Sequence, residues 1–323
     1  MTARFGSTDL PGEEAGALRR ASRLEWFTIG YLVSTIVLVY LVMGSSQAMK
    51  VAWIEDMLSL IPPVAFLLAV RRARRLPDAE HPYGHHRAVG SGHLTAGVAL
   101  LGMGVFLVVD SASGLIAAEH PPIGTYHLFG HTVWAGWPMV AVMAYAGVGP
   151  VLLGRRKLPL SEQLHDKVLK ADADMNKADW MTAASAVVGI LGIGVGLWWL
   201  DAVAALVIST SIVRDGWGNL THALADLADG TARTHDDERV HPLVARVVQD
   251  LQALPWVADA GARVRDMGHV FHVEAFVVPV GGAELDVQRL EHVRERLVQL
   301  DWKLQDVVVV PVARIAEEFR PVG

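Results

Sequence analysis

Apolar residues dominate two stretches of the chain. Between Trp26 and Gly154 and again from Trp180 to Val213, long stretches carry almost no charge, whereas from Arg214 onward charge returns at the density of a water-soluble protein. Crossing the hydrocarbon of a bilayer takes about 20 apolar residues. Runs of that length predict membrane helices at 26–44, 49–70, 91–116, 132–153, 172–192 and 196–214. The pattern then changes. Val240, Leu243, Val244, Val247, Val248 and Leu251 recur at helical spacing, Ala262–Met267 and His269–Val280 read as strands, Leu290–Leu300 as a helix and Val307–Val312 as a last strand. The α-β-β-α-β order is that of a ferredoxin-like half-open sandwich. The fold class expected is therefore an α-helical membrane protein of six transmembrane helices with a C-terminal cytoplasmic α+β ferredoxin-like domain. The expected boundaries are a cytoplasmic N-terminal segment at 1–25, the membrane domain at 26–214, a linker at 215–237 and the tail domain at 238–323.

Composition agrees with this division. With 52% hydrophobic and 19% charged residues, the chain is not an ordinary soluble globule. Residues 1–25 mix Asp9, Glu13 and Glu14 with Arg19, Arg20 and Arg23, so the first apolar run is read as a span and not as a cleavable signal. An even number of spans puts both termini on one side. The 2–3 connection holds Arg71, Arg72, Arg74, Arg75 and Arg87, and the 4–5 connection holds Arg155, Arg156, Lys157, Lys167 and Lys170. The 1–2 turn has only Lys50, and the 3–4 and 5–6 connections have no Lys or Arg. The positive-inside bias predicts a multi-pass protein of the cell membrane with both termini cytoplasmic.

Cysteine is absent, which excludes disulfides and thiolate metal sites and leaves His, Asp, Glu and Met as ligands. No nucleophile elbow, phosphate loop or zinc-protease motif is present, so an enzyme is not expected. A carboxylate inside a membrane helix is costly and marks a pathway or a coordination site. Glu55 and Asp56 fall in the second span, Asp110 in the third, and Asp172, Asp174 and Asp179 at the start of the fifth. Asp172, Met175, Asn176 and Asp179 share one helical stripe, and Glu55 and Ser59 share another. Facing each other, the two stripes would suit a bound cation. Plainer readings stand beside this one: Asp172 and Asp174 facing headgroups, Asp110 as a partner for a neighbouring helix, and Met175 as packing. His81, His85 and His86 read either as an accessory metal or relay cluster or as a capped basic turn. Pro62 and Pro63 should kink the second span.

The run Arg71-Arg72-Ala73-Arg74-Arg75 followed by His81-Pro82-Tyr83-Gly84-His85-His86-Arg87-Ala88 resembles the helix 2–3 signature of the cation diffusion facilitator family. Lys170-Ala171-Asp172 through Asp179, Thr182 and Gly189 resembles that family's helix 5, and Trp198–Ala205 the entry to its helix 6. The resemblance covers about residues 20 to 315. It implies efflux of a divalent ion such as zinc, manganese, iron, cobalt or nickel in exchange for protons, by a homodimer in the lipid bilayer that alternates between inward- and outward-facing states. No permanent cofactor and no nucleic-acid partner is expected. The family's transport site takes two acidic residues four apart on helix 2 and a His or Asn plus an Asp four apart on helix 5. Those positions fall on Glu55, Ser59, Met175 and Asp179, with Asp56, Asp172 and Asn176 beside them. Ser59 and Met175 depart from the pattern. The departure leaves an oxygen-rich set that leans toward hard ions, and it also admits a non-transporting relative, a dimeric metal-sensing or scaffold protein. Family tails often bind regulatory metal, yet the last strand here lacks His. For His235, His241, His269 and His272 a hydrogen-bonded or solvent-facing role is expected.

Overall fold

The structure, a computed structural model, describes residues 10–43, 47–118, 124–128, 131–281 and 286–320. The N-terminal part is helical: α1 (Gly12–Val42), α2 (Gln47–Leu58), α3 (Ile61–Ala73), α4 (Ala88–Ile116), α5 (Gly136–Leu164), α6 (Lys167–Gly194) and α7 (Leu200–Leu227). A short antiparallel hairpin, β1 (Thr125–Leu128) and β2 (His131–Trp134), precedes α5. By length and composition, four stretches of the described residues are apolar enough to cross a membrane: Gly12–Val42, Ala52–Ala73, Ala88–Ile116 and Gly136–Leu164.

The predicted second span at 49–70 is two helices. Pro62 and Pro63 carry no N–H, so the carbonyls of Leu58 and Ser59 lose their helical donors. The ladder tightens to a Leu60 N–H to Met57 bond of 3.3 Å, and α3 restarts with the prolines in its first turn. Other boundaries also move. Helix α1 starts at Gly12, inside the expected N-terminal segment, while Gly44, its expected end, lies outside the described residues. The start of the expected 132–153 span is strand β2, and α5 runs on to Leu164 through the stretch read as a connection. Helix α7 reaches Leu227, through much of the expected linker 215–237.

Close packing draws α4 and α7 together. A Cβ on Gly97 would sit 3.0 Å from the Leu220 nitrogen, and one on Gly216 would sit 2.6 Å from the Leu101 Cα, so the two backbones meet at glycine as membrane helices commonly do. Leu100, Met103, Leu107, Met175, Ala178 and Ile212 fill the core between α4, α6 and α7.

The C-terminal unit follows the expected order: α8 (Pro242–Gln252), β3 (Val257–Asp266), β4 (Phe271–Pro279), α9 (Val287–Leu300) and β5 (Leu304–Pro311). Its sheet runs β3-β4-β5, the first pair antiparallel and the second parallel. The parallel pair needs a crossover, which α9 supplies. Leu243, Val247 and Leu251 of α8 and Val293 and Leu297 of α9 bury against Val264, Val273, Ala275 and Val307 of the sheet.

Candidate metal transport site

The break between α2 and α3 places Ser59 at the end of a helix that carries Glu55 and Asp56 one turn earlier. Glu55 and Ser59 are buried, and Asp56 is half-buried. Across from them stands α6, whose first turn is fixed by Asp166: its carboxylate accepts the Leu169 N–H at 2.9 Å, a side-chain N-cap. The two stripes meet at one point. The Ser59 hydroxyl donates to the Asp179 carboxylate at 2.6 Å and lies 3.1 Å from the Glu55 main-chain carbonyl. Asp56 lies within electrostatic reach of Asp179, and its carboxyl also meets Thr35 on α1. Hydroxyl, carboxylate and carbonyl oxygens thus converge in a largely apolar interior, a set suited to a hard or borderline divalent ion.

The rest of the α6 stripe is engaged differently. Asp172 sits two turns before Asp179, about 10 Å along the axis, and its carboxylate pairs with the Lys157 ammonium of α5. Lys157 Nζ is also 3.1 Å from Glu25 Oε2 of α1. Glu25, Lys157 and Asp172 are all buried, so this is a closed ionic triad joining three helices. Lys157, read from the sequence as a loop charge, is an interior residue of α5; only Arg155 and Arg156 of that group are exposed. The missed signal was periodic: Leu153, Gly154, Lys157, Ser161 and Leu164 form one buried helical face. Asn176 donates back to the Asp172 carbonyl at 2.8 Å. Met175 packs among Leu100, Met103, Leu107 and Ile212, the packing reading of this residue. Asp174 pairs with Lys170 at 2.8 Å and takes an Asn219 amide bond at 3.2 Å.

Asp110, on α4, is exposed. In the turn between α3 and α4, His81 Nδ1 lies 3.2 Å from Asp78 Oδ1 and His85 Nε2 lies 3.5 Å from Asp78 Oδ2. The donor atoms of these three residues lie within 4.8 Å of one another. Asp78 was not among the residues expected there, though its spacing to His81 was legible. His86 is buried and turns away, lining a cavity of about 440 Å³ with Arg19, Arg74 and His269. Three of the four tail histidines are hydrogen-bonded, His269 to Asp166 at 2.7 Å, His272 to Asp306 at 2.6 Å, and His241 as the cap of α8, accepting the Leu243 N–H at 3.2 Å, while His235 is half-buried.

A family model described as the cation efflux transmembrane domain matches residues 26–228. The manganese efflux system protein MneS of Bacillus subtilis is 24% identical over 248 residues, covering 76% of this chain and 79% of that protein. A transporter of uncharacterised function from the same organism, YdbO, is 24% identical over 250 residues, covering 76% and 78%. The metal tolerance protein C1 of Arabidopsis thaliana is 25% identical over 186 residues, covering 56% and 39%. With the family model matching more than half of the chain and the relatives aligned over most of it, the protein belongs to the cation efflux, or cation diffusion facilitator, family of membrane transporters of metal cations, which are not enzymes.

Proposed function

We propose that the protein exports a hard divalent cation, manganese first among the candidates, from the cytoplasm by cation/proton antiport. The reading rests on the Ser59–Asp179 hydrogen bond, which joins the acidic face of α2 to that of α6. The names of MneS and of a second Bacillus subtilis manganese efflux protein, MneP, support the choice of metal. In this reading α1, α2 with α3, α4, α5, α6 and α7 make six spans, both termini are cytoplasmic, and the C-terminal unit is a ferredoxin-like domain that pairs two protomers.

Glu55, Asp56, Ser59 and Asp179 then receive the ion. A divalent cation takes the place of the proton shared between Ser59 and Asp179, and the carboxylates release it on the far side as they take up protons. Rocking of α6 against α2 opens the site to one side at a time, and the weak helix break after Leu58 lets α2 follow. Asp172 holds the cytoplasmic end of α6 through Lys157, and Met175 and Asn176 support the stripe without touching the ion. Asp78, His81 and His85 form an accessory site in the intracellular turn.

The decisive experiment is flux in proteoliposomes, with manganese, zinc, cobalt, nickel and iron outside and a pH-sensitive dye inside. Manganese should enter fastest, with proton movement in the opposite direction, and Asp179→Asn should abolish both. A second reading, a non-transporting metal-sensing or scaffold dimer, draws on Met175, which packs in apolar surroundings where the family takes His or Asn. Binding of metal without flux would favour it and remove the exporter.

A further inference from the structure

Where the helical part meets the C-terminal unit, the ammonium of Lys167, the first residue of α6, is surrounded by three carboxylates. Lys167 Nζ lies 2.5 Å from Asp226 Oδ2 at the end of α7, 2.6 Å from Asp237 Oδ1 in the connector and 3.4 Å from Asp266 Oδ2 at the end of β3. All four side chains are at most a tenth exposed. One ammonium against three carboxylates leaves two negative charges. The guanidinium groups at the rim do not make up the difference, since Arg87 and Arg265 both bind Asp229. His222 lies 3.8 Å from Asp237 and is half-exposed. His165 lies 3.5 Å from Asp266, and burial pushes its imidazole below the ordinary range, toward the neutral form. Buried carboxylates in excess of their cations are costly, so the cluster calls for more positive charge.

A second observation says what would bring it. His93 of α4 is 2% exposed; its Nε2 lies 3.3 Å from Asn219 Oδ1, and its Nδ1 has no hydrogen-bond partner among the described residues. The donor atoms of His93, Asp226 and Asp237 lie within 4.8 Å of one another. His93 and Asp226 border a cavity of about 20 Å³ that His165, Lys167 and Asp266 also line, room for one atom-sized guest. Asp237 reaches the cluster from a left-handed backbone, φ 59°, a conformation Asp tolerates but that costs stability.

We propose that His93, Asp226 and Asp237 form a second divalent-cation site, separate from the transport site and from the Asp78–His81–His85 turn, which a metal occupies in competition with Lys167. One imidazole and two carboxylates suit manganese, iron, cobalt or zinc. The site joins α4, α7 and the connector, and its competitor is tethered to α6. An ion that takes Asp226 and Asp237 from Lys167 therefore changes how the start of the transport helix is held, and the metal level at this junction feeds back on α6.

The test uses the full chain in detergent, carrying Glu55→Gln, Asp179→Asn, His81→Ala and His85→Ala to remove the other donors, titrated with Mn²⁺ and read by electron paramagnetic resonance. One Mn²⁺ per protomer should bind, with electron-spin-echo modulation from an imidazole nitrogen. Adding His93→Gln should remove the modulation and weaken binding at least tenfold, and adding Lys167→Met in place of His93→Gln should tighten binding at least tenfold. The wild-type chain provides a measurement free of folding artefacts: Mn²⁺ should slow hydrogen exchange over residues 226–237. Absence of retained Mn²⁺, modulation that survives His93→Gln in folded protein, or exchange unchanged by Mn²⁺ would each overturn the site and leave Lys167 as a permanent ionic clamp. The transport reading is judged by flux and is untouched by any of these results.

Discussion

Replacing Lys157 with Met removes the one cation from the Glu25–Lys157–Asp172 triad and keeps nearly the same side-chain length, so no large cavity opens. The three side chains are at most 2% exposed, and the ammonium contacts both carboxylates. Removing one partner of a buried pair costs about 3–5 kcal/mol, because a charge is left without compensation. Here two carboxylates lose the same counterion, which argues for the upper end. In a chain of this size each kcal/mol moves the melting midpoint by roughly 2 °C, so Lys157→Met should melt roughly 6–10 °C below wild type in detergent, followed by tryptophan fluorescence. Arg156→Met, one residue away and exposed, is the control and should melt within about 1 °C of wild type, as exposed charges contribute little. The combined Glu25→Gln, Lys157→Met, Asp172→Asn variant should recover most of the loss, since well-packed neutral groups often replace buried ion pairs without penalty. If Lys157→Met melts with Arg156→Met, the triad does not hold α1, α5 and α6 together and the argument fails.

Asp179→Asn should lower manganese flux at least a hundredfold in vesicles while leaving the melting profile of the detergent-solubilised protein intact; flux near wild type would remove Asp179 from the site. Ser59→Ala loses the hydrogen bond to Asp179 and should weaken manganese affinity by roughly tenfold, in line with about 1.5 kcal/mol for a bond to a charged group, and an unchanged transport KM would count against the convergence of α2 and α6. Met175→His places an imidazole among Leu100, Met103 and Ile212; flux of every metal should fall together, and a raised zinc-to-manganese ratio in a competition assay would show that this position does choose the ion. At the junction, burial alone would push the Asp266 carboxyl up, but the His165 imidazole 3.5 Å away and the Lys167 charge hold it at about 2, below its ordinary 3.8. A depressed carboxyl stabilises the fold above the unfolded value and loses that contribution as pH falls from roughly 4 toward 2. Hydrogen exchange at the β3–β4 turn should therefore rise over that window in wild type and change less in Asp266→Asn, and equal acid sensitivity of the two would refute the assignment.

Local rules carried most of the architecture. The tail was legible because α8 and α9 repeat their apolar residues at helical spacing and β4 is an almost unbroken apolar run between polar turns, as a central strand with neighbours on both edges should be. The split of the second span was legible in kind, since two successive prolines must end or kink a helix, but the site of the break at Ser59–Leu60 needed the hydrogen-bond ladder. Helix ends were the least legible. Apolar runs mark what hydrocarbon covers, whereas α1, α5 and α7 continue beyond that run into polar sequence, where α1 meets α5 through Glu25 and Lys157 and α7 meets the start of α6 through Asp226.

The charges show why the site was only half legible. Periodicity places Asp172 and Asp179 on one stripe, and both are there, but it cannot say which has found a counterion. That depends on Lys157, which lies 15 residues before Asp172 in a different helix, and on Glu25 at the far end of the chain. In the sequence Lys157 stands in an Arg-Arg-Lys run and reads as surface charge; on the folded helix a step of 100° separates it from Arg156 and turns it inward. The basic residues at the start of α6 divide in the same way: Lys167 is held by three carboxylates, while Lys170 pairs with Asp174 on its own helix. A count of positive loop charges treats all of these as equivalent. The exposed basic residues of these connections are Arg71, Arg72, Arg74, Arg75, Arg155 and Arg156, while the opposite connections carry almost no Lys or Arg. The acidic side divides in the same way: Asp172 pairs with Lys157 and Asp174 with Lys170, whereas the partner that Asp179 finds across from α6 is the neutral Ser59 hydroxyl, which is why the proposed transport site centres on it.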